Sequence, residues 1–341
     1  MSVVHLLGSK GDGGAETYFA SLVRALADAG VEQACAIHRH KARERAVAAA
    51  GVPVRAFRFG GPVDVFTKPA IASYARKHEA KIILAWMNRA ASKTPNGGWA
   101  KIGRLGGYYS LKYYKGFDAL VANTRDIRRW VIEQGWPEQR VIYIPNFATP
   151  RDSEAEDRAA LDTPEDAPLL LAMGRLHANK AHDVSLRALA KIPGAYLWIA
   201  GAGPLDGKLK ALAKELGVAD RVRFLGWRED ASALYRAADI CMFPSRFEPL
   251  GNVVIQSWAH AVPIVAAASQ GPSALIRDGE DGLLVPVDDA DALAVGVQRL
   301  LDDPMLPIRL IQNGAARVEG EYSEAAVVAQ WKALFTRYGE A

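Results

Sequence analysis

Short apolar runs alternate along this chain with longer segments whose apolar residues recur every three or four positions. The opening run "SVVHLLG" reads as a strand. The segment "AETYFASLVRALADAG" reads as a helix, because Tyr18, Leu22, Ala25 and Leu26 share one face. Further strands are predicted at "QACAIHR", "VRAFRF", "KIILAWM", "ALVAN" and "RVIYIPN", the rhythm of a parallel α/β sheet. The stretch "TPRDSEAEDRAALDTPEDAP", rich in Pro and acid, interrupts that rhythm and reads as a linker. It restarts at "PLLLAMGR" and runs through "AYLWIAGAG", "RVRFLG", "DICMFP", "PIVAAA" and "GLLVPV". Helices are predicted around 289–302, 306–318 and 323–338. No tandem repeat is present, but the two halves share one architecture. The pattern predicts an α/β domain over 1–150, a linker over 151–167, a second α/β domain over 168–322, and a C-terminal helix over 323–341 packing back toward the first domain. Two doubly wound domains facing each other would leave a cleft at their strand C-termini, where such sheets bind ligands.

Composition adds an asymmetry. The 341 residues carry a formal charge of +4, but residues 1–150 hold 22 basic and 11 acidic side chains, and residues 151–341 hold 20 and 27. Unlike halves suggest unlike partners; drift in surface composition is the plain alternative. The two cysteines, Cys35 and Cys241, lie in apolar runs and make no disulfide framework, which favours a reducing compartment. The start has no basic leader, and no apolar run approaches the roughly 20 residues of a membrane span. The expectation is a cytoplasmic protein, peripheral on the inner face of the cell membrane, with no nucleic-acid partner.

Four strand-to-helix junctions carry candidate chemistry. In "GSKGDGGAE", Gly13 and Gly14 let the backbone approach a ligand and open a helix whose free N–H groups suit an anion, though a glycine-rich turn is often only a turn. The spacing is not that of the dinucleotide fingerprint, which disfavours a nicotinamide dehydrogenase. "GRLHANKAHD" sends Arg175 and Lys180 out of a strand end, where two cations fit a diphosphate or stand as solvated loop charges. "AGAGPLDGKL" repeats the strand–glycine–helix theme with Gly201 and Gly203. In "PSRFEPLGNVVIQSW", Glu248 stands before a turn, Pro249 to Asn252, that opens a helix. Its carboxylate can accept hydrogen bonds from sugar hydroxyls or simply favour the helix dipole. Gln256, one to two turns further, is a second polar contact or a satisfied amide.

Taken in order, "GGAE", "ALVANT", "IPNF", "GRLHANK", "AGAGP", "RFLGW", "AADICMFPS" and "EPLGNVVIQSWAHAVPIVA" resemble glycosyltransferase family 4 over nearly the whole chain. The resemblance implies the GT-B fold, two facing Rossmann-like domains with a cleft between them. It implies a metal-independent, retaining hexosyltransferase of lipopolysaccharide-core or other envelope polysaccharide assembly. Its donor would be a nucleotide-diphosphate sugar and its acceptor an anionic glycolipid or saccharide, with no cofactor. Glu248, Arg175 and Lys180 would be catalytic. Gly13, Gly14, Gly201, Gly203, Pro249, Leu250, Gly251, Asn252, Val253 and Gln256 would bind the donor, with Trp227 and Arg228 near its base. Two departures stand out. The family's second Glu is Gln256 here, which keeps an acceptor oxygen but no charge. Where many relatives carry a His after the fourth strand, this chain reads "LAWMNRAASKTP", leaving Asn88 or Arg89 to supply the contact. A nucleotide-sugar epimerase of the same architecture and a non-catalytic nucleotide-sugar binding protein are the alternatives.

Two further features need a place. Asp289 and Asp291 mimic a metal-binding Asp-x-Asp pair but precede a helix, and read as capping and dipole pairing. Between Asn88 and Lys115 the chain has six basic residues and no acid, interleaved with aromatics. In "GGYYSLKYYKG" a helix would place aromatic and basic groups side by side, and Trp99, Lys101, Arg104, Tyr108, Tyr109, Lys112, Tyr113 and Lys115 are read as an acceptor or membrane surface. The alternative is a packed helix with its charges in water.

Overall fold

The structure is a computed structural model that describes residues 2–11, 13–61, 64–228 and 230–340. It divides into two compact units: one of Met1–Asn146 with Glu324–Ala341, the other of Phe147–Ser323.

The first unit runs β1 (Ser2–Leu7), α1 (Gly14–Asp28), β2 (Glu32–His38), α2 (Lys41–Ala49), β3 (Val54–Phe57), α3 (Thr67–Lys77), β4 (Ala80–Trp86), α4 (Met87–Lys93), β5 (Ala100–Leu105), β6 (Ala119–Ala122), α5 (Arg125–Glu133) and β7 (Val141–Tyr143). The sheet order is β3-β2-β1-β4-β5-β6-β7, and every pairing is parallel. Parallel strands covered on both faces need near-continuous apolar runs. Val3, Val4, Leu6 and Leu7 of β1 and Ile82 to Trp86 of β4 are accordingly all at 0% exposure.

The second unit runs β8 (Leu169–Met173), α6 (His182–Leu189), β9 (Tyr196–Ala200), α7 (Asp206–Glu215), β10 (Val222–Gly226), α8 (Ala231–Ala237), β11 (Ile240–Phe243), α9 (Asn252–Ala259), β12 (Ile264–Ala267), α10 (Gln270–Leu275), β13 (Leu283–Val285), α11 (Ala290–Asp302) and α12 (Met305–Arg317). Its sheet order is β10-β9-β8-β11-β12-β13. The last helix, α13 (Glu324–Gly339), belongs to the first unit. It packs on β4 and α1, buries Trp331 and Phe335, and is tied by Glu324 to Arg24 at 2.6 Å.

Two expectations change. The stretch "GGYYSLKYYKG" forms no α-helix but a single 3-10 turn at Leu111–Tyr114, and Lys101 and Arg104 just before it lie in a strand that the sequence pattern did not predict, β5. Gly103 disguises it: a Cβ there would lie 2.5 Å from the Tyr114 ring, so the strand has a glycine where the ring packs. The acidic stretch expected as a linker lies within the second unit and is fastened to it. Arg158 donates to the Ala237 carbonyl and pairs with Asp239 at 3.0 Å, and the Trp198 indole donates to Thr163 at 2.9 Å. Polar composition hid these anchors, because each uses a partner 35 to 81 residues away. Among the described residues, no helix is long and apolar enough to cross a membrane.

Candidate active site

In the second unit the sheet order reverses between β8 and β11. Loops leaving the two strands diverge at such a point and leave a crevice at the strand C-termini. The loop after β8 lies backbone to backbone against the loop after β9, with Gly174 N–H donating to Ala200 O at 3.0 Å and Leu176 N–H to Ala202 O at 3.1 Å. A Cβ on Gly201 would sit 1.9 Å from the Gly174 carbonyl oxygen, and one on Gly203 2.5 Å from that of Leu176. The two glycines expected at the donor site therefore act first by letting these loops touch.

The loop after β11 carries Glu248, and its carboxylate is ion-paired with the ammonium of Lys180 from the loop after β8. Two residues 68 positions apart thus meet across the switch point. Lys180 also lies 5.6 Å over the Phe243 ring, its stem running across Gly174. The other Glu248 oxygen accepts the Gly251 N–H at 3.2 Å, and the Glu248 carbonyl accepts the Gly271 N–H at 2.7 Å. Gly251, in the left-handed region at φ 85°, opens α9. Leu250 and Val253 are buried in the core, so only their backbones can serve a ligand.

Sequence reasoning missed the residue that assembles this arrangement. Arg246 forks onto Asp183 at 2.9 and 2.6 Å, pairs with Asp288, and donates to Ala178 O at 2.9 Å. Its own N–H and that of Phe247 donate to Asn179 O. The clamp seals the Lys180 loop onto the Glu248 loop. It also holds the Asp183 carboxyl below its ordinary range, against the opposing effect of burial. The letters "SRFEP" gave the only signal, an Arg two residues before the Glu. His182, 2% exposed beneath the same loop, has one ring nitrogen 3.2 Å from Gly174 O; burial pushes its pKa down to about 4.

Other expected donor residues are distributed unevenly. Arg175 is exposed, and no side-chain partner holds it among the described residues. Trp227 is exposed at the end of β10. Arg228 is ion-paired with Glu156 of the acidic stretch. Gln256 is half-buried, and its backbone carbonyl accepts from His260 Nδ1 at 2.7 Å. Asp289 caps α11 by accepting the Ala292 N–H at 2.8 Å, and Asp291 pairs with Lys191. Among the described residues no cluster of His, Cys, Asp or Glu could hold a metal ion.

In the first unit the order reverses between β1 and β4. Buried Arg43 ties down the glycine loop after β1, donating to Ser9 O at 3.2 Å and Gly11 O at 2.7 Å. Asp12 of that loop lies outside the described residues. Gly13 caps α1 in extended backbone, with Gly14 as its first residue. Asn88 and Arg89 begin α4 at the end of β4. Arg89 lays its stem across Gly8, where a Cβ would meet it at 2.9 Å, and Asn88 Oδ1 is buried without a partner among the described residues. The switch point thus brings the Gly8–Gly14 loop and Arg89 together.

The basic aromatic stretch does not form one surface. Arg104 is 2% exposed, donates to Asn146 Oδ1, and lies 4.5 Å over Trp86 and 5.0 Å over Tyr18. Burial in this aromatic box lowers its pKa, and no carboxylate pairs with it among the described residues. Its expected surface role is thereby corrected: β5 points it into the unit. Tyr108 bonds Asp126, Trp99 donates to Pro95 O at 3.1 Å, and Lys101 donates to Asn96 at 3.0 Å. Tyr109 is half-buried. Only Lys112, Tyr113 and Lys115 of the set stand exposed, on and beside a single 3-10 turn at Leu111–Tyr114.

Two Rossmann-like units, one with a cation–carboxylate pair at a helix mouth on its switch point, have the fold class called GT-B. Profile comparison matches residues 12–151 to Glycosyltransferase Family 4 and residues 167–303 to Glycosyl transferases group 1. The chain is 38% identical over 330 residues to the lipopolysaccharide core biosynthesis glycosyltransferase LpsE of Rhizobium meliloti, covering 96% of each. It is 35% identical over 341 residues to LpsD of the same organism, covering 99% of this chain and 98% of that one. Among solved structures, HepE of Anabaena in complex with UDP-glucose superposes with a TM-score of 0.86 at 18% identity, over 99% of this chain and 100% of that one. The chain belongs to glycosyltransferase family 4.

Proposed function

We propose that this glycosyltransferase moves a hexose, with retention of anomeric configuration, from a nucleoside-diphosphate sugar to an anionic saccharide of the lipopolysaccharide core. The observation that carries the donor side is the Lys180–Glu248 pair at the mouth of α9. A bound donor would exchange that pair for its own groups. Lys180 would turn to the diphosphate, joined by Arg175, and Glu248 to the sugar hydroxyls. Once Glu248 turns away, the Gly251 N–H that it now accepts would be left for the same ligand. In glycosyl transfer negative charge grows on the departing phosphate oxygen, and preorganised cations and N–H donors lower the barrier by stabilising it there. Attack on the leaving-group face, with the departing phosphate taking the acceptor proton, retains configuration without the second carboxylate that a double displacement needs. Gln256 would meet the ribose as a neutral acceptor.

The acceptor side rests on the two full-length relatives, both lipopolysaccharide core enzymes, and on the basic first unit. Lys101, Lys112 and Lys115 are the cations that β5 and the following turn leave for an anionic saccharide, and Asn88 and Arg89 stand at the switch point of that unit. Such an acceptor lies on the inner membrane surface, where the enzyme would work as a peripheral protein.

The test is incubation with a panel of nucleoside-diphosphate sugars and a truncated core acceptor, with and without a chelator. The expected result is one added hexose by mass spectrometry, retained α or β configuration by NMR, and no loss in chelator. Epimerised sugar from donor alone would transfer the chain to the epimerase reading. Loss in chelator restored by manganese would overturn metal independence.

A further inference from the structure

At the C-terminal ends of β2 and β3, away from the β1/β4 switch point, lies a cavity of about 430 Å³. His38, Arg39, Phe57, Arg58, Phe66 and Thr67 line it, and none of its lining residues is acidic. Arg39, Arg58 and the neighbouring Lys68 are exposed and have no carboxylate partner among the described residues. On the rim stand two large apolar side chains, Val65 at 67% and Phe66 at 72% exposure.

These two are held out by a built loop. The Asp64 carboxylate accepts from Gly60 N–H at 2.7 Å, Thr67 N–H at 3.1 Å, Phe66 N–H at 3.3 Å and the Thr67 hydroxyl. Lys93, 7% exposed, donates to Gly61 O and Asp64 O at 2.9 Å each. The Asp64 carboxylate is therefore consumed in fixing the loop, and Arg39, Arg58 and Lys68 keep their charge for something else.

The chemistry selects the occupant. A soluble anion would satisfy the cations and leave Val65 and Phe66 in water. An apolar protein face would cover Val65 and Phe66 and strand three cations. A bilayer bearing anionic lipid offers phosphates and apolar chains within about 5–10 Å of depth. We propose that this corner of the first unit docks on an anionic phospholipid bilayer, with Val65 and Phe66 entering the headgroup–acyl boundary and Arg39, Arg58 and Lys68 meeting lipid phosphates. The inference rests on a membrane-borne acceptor for its purpose, but the docking itself needs neither donor nor acceptor. It also moves the expected membrane contact from the stretch at 99–115 to the other side of β1.

The experiment uses the full chain without substrates and co-sediments it with phosphatidylcholine vesicles, with or without phosphatidylglycerol, at low and high salt. The wild type should prefer the anionic vesicles and lose that preference in high salt. Arg39→Gln, Arg58→Gln and Lys68→Gln should each weaken partitioning roughly fivefold. Val65→Ser with Phe66→Ser should weaken it about tenfold or more while circular dichroism stays unchanged. Cys35 and Cys241 are buried, so Phe66→Cys and Lys115→Cys can each be labelled with an environment-sensitive dye. A blue shift on anionic vesicles at 66 but not at 115 supports the proposal; the reverse overturns it. So does binding of glycerol phosphate in solution with no preference for vesicles, or unchanged partitioning in the variant lacking all three cations. Transfer to a soluble acceptor separates the two readings: a docking failure leaves it intact, whereas a failed function assignment abolishes it without touching vesicle binding.

Discussion

The two sheets follow one plan and are finished differently at the same place. At the β8/β11 switch point the loops are joined by opposite charges: Lys180 to Glu248, and Arg246 to Asp183 and Asp288. At the β1/β4 switch point the glycine loop is held by an arginine on backbone carbonyls, with Arg89 laid across Gly8. Another buried cation of that unit, Arg104, rests on aromatic rings and an amide. In the proposed reading the second unit takes the same charged, hydroxylated donor at every turnover, and its site is stored as complementary pairs that the ligand's phosphates and hydroxyls then replace.

Removing Glu248 is the hardest test of this contrast. Glu248→Ala should keep the fold and lower transfer about a hundredfold or more, about 2.7 kcal/mol. Turnover near that of the unchanged chain would reduce the Lys180–Glu248 contact to an ordinary surface ion pair.

Next comes the loop packing. Gly201→Ala puts a methyl group 1.9 Å from the Gly174 carbonyl oxygen, whereas Gly11→Ala meets nothing within 4 Å. Denaturant unfolding should show a loss of about 2 kcal/mol or more for the first and roughly 0.5 kcal/mol or less for the second. Equal losses would mean that both glycine loops are packed alike.

Binding of the leaving group is expected to be smaller and one-sided. Lys180→Met and Arg175→Met should each weaken nucleoside-diphosphate affinity about tenfold by calorimetry, and Arg89→Met should leave it unchanged. A comparable effect at Arg89 would erase the division of labour between the units.

The smallest effect concerns acid. Each unit buries one uncharged histidine: burial lowers His5 to about 3 and His182 to about 4. Unfolding restores the ordinary value near 6.5, so below it the unfolded chain binds the extra proton. Stability is therefore complete above about pH 6.5 and falls as the pH drops toward 4. His5→Asn and His182→Asn should each flatten part of that slope, by roughly 1 kcal/mol between neutral pH and about pH 5.5, read from melting temperatures at the two. A slope unchanged in both would place the proton uptake elsewhere.

Much of the site was legible locally. Glu248 before Gly251 and an apolar helix, and the glycines after β8 and β9, follow from turn and helix-start chemistry that needs only neighbouring letters. Strand β5 was not legible, because Gly103 and two lysine or arginine positions break its apolar run, and only the Tyr114 ring explains the glycine. Arg104 misled because a guanidinium in a sequence carries no mark of whether a carboxylate, an aromatic box or water awaits it.

Sequence alone determined the class of fold, the succession of strands and helices, the helix mouth at Glu248 and the membership of family 4. Those are written in periodicity, in glycine placement and in ordered motifs, each short in range. Tertiary structure alone decided that Lys180 meets Glu248, that Arg246 builds the clamp, that Arg104 is interior, and that Val65 and Phe66 stand beside three unpaired cations. These depend on which strands become neighbours in the sheet. Strand order brings together residues tens of positions apart, and the burial that follows then fixes whether a charge is paired, hidden or left for a ligand.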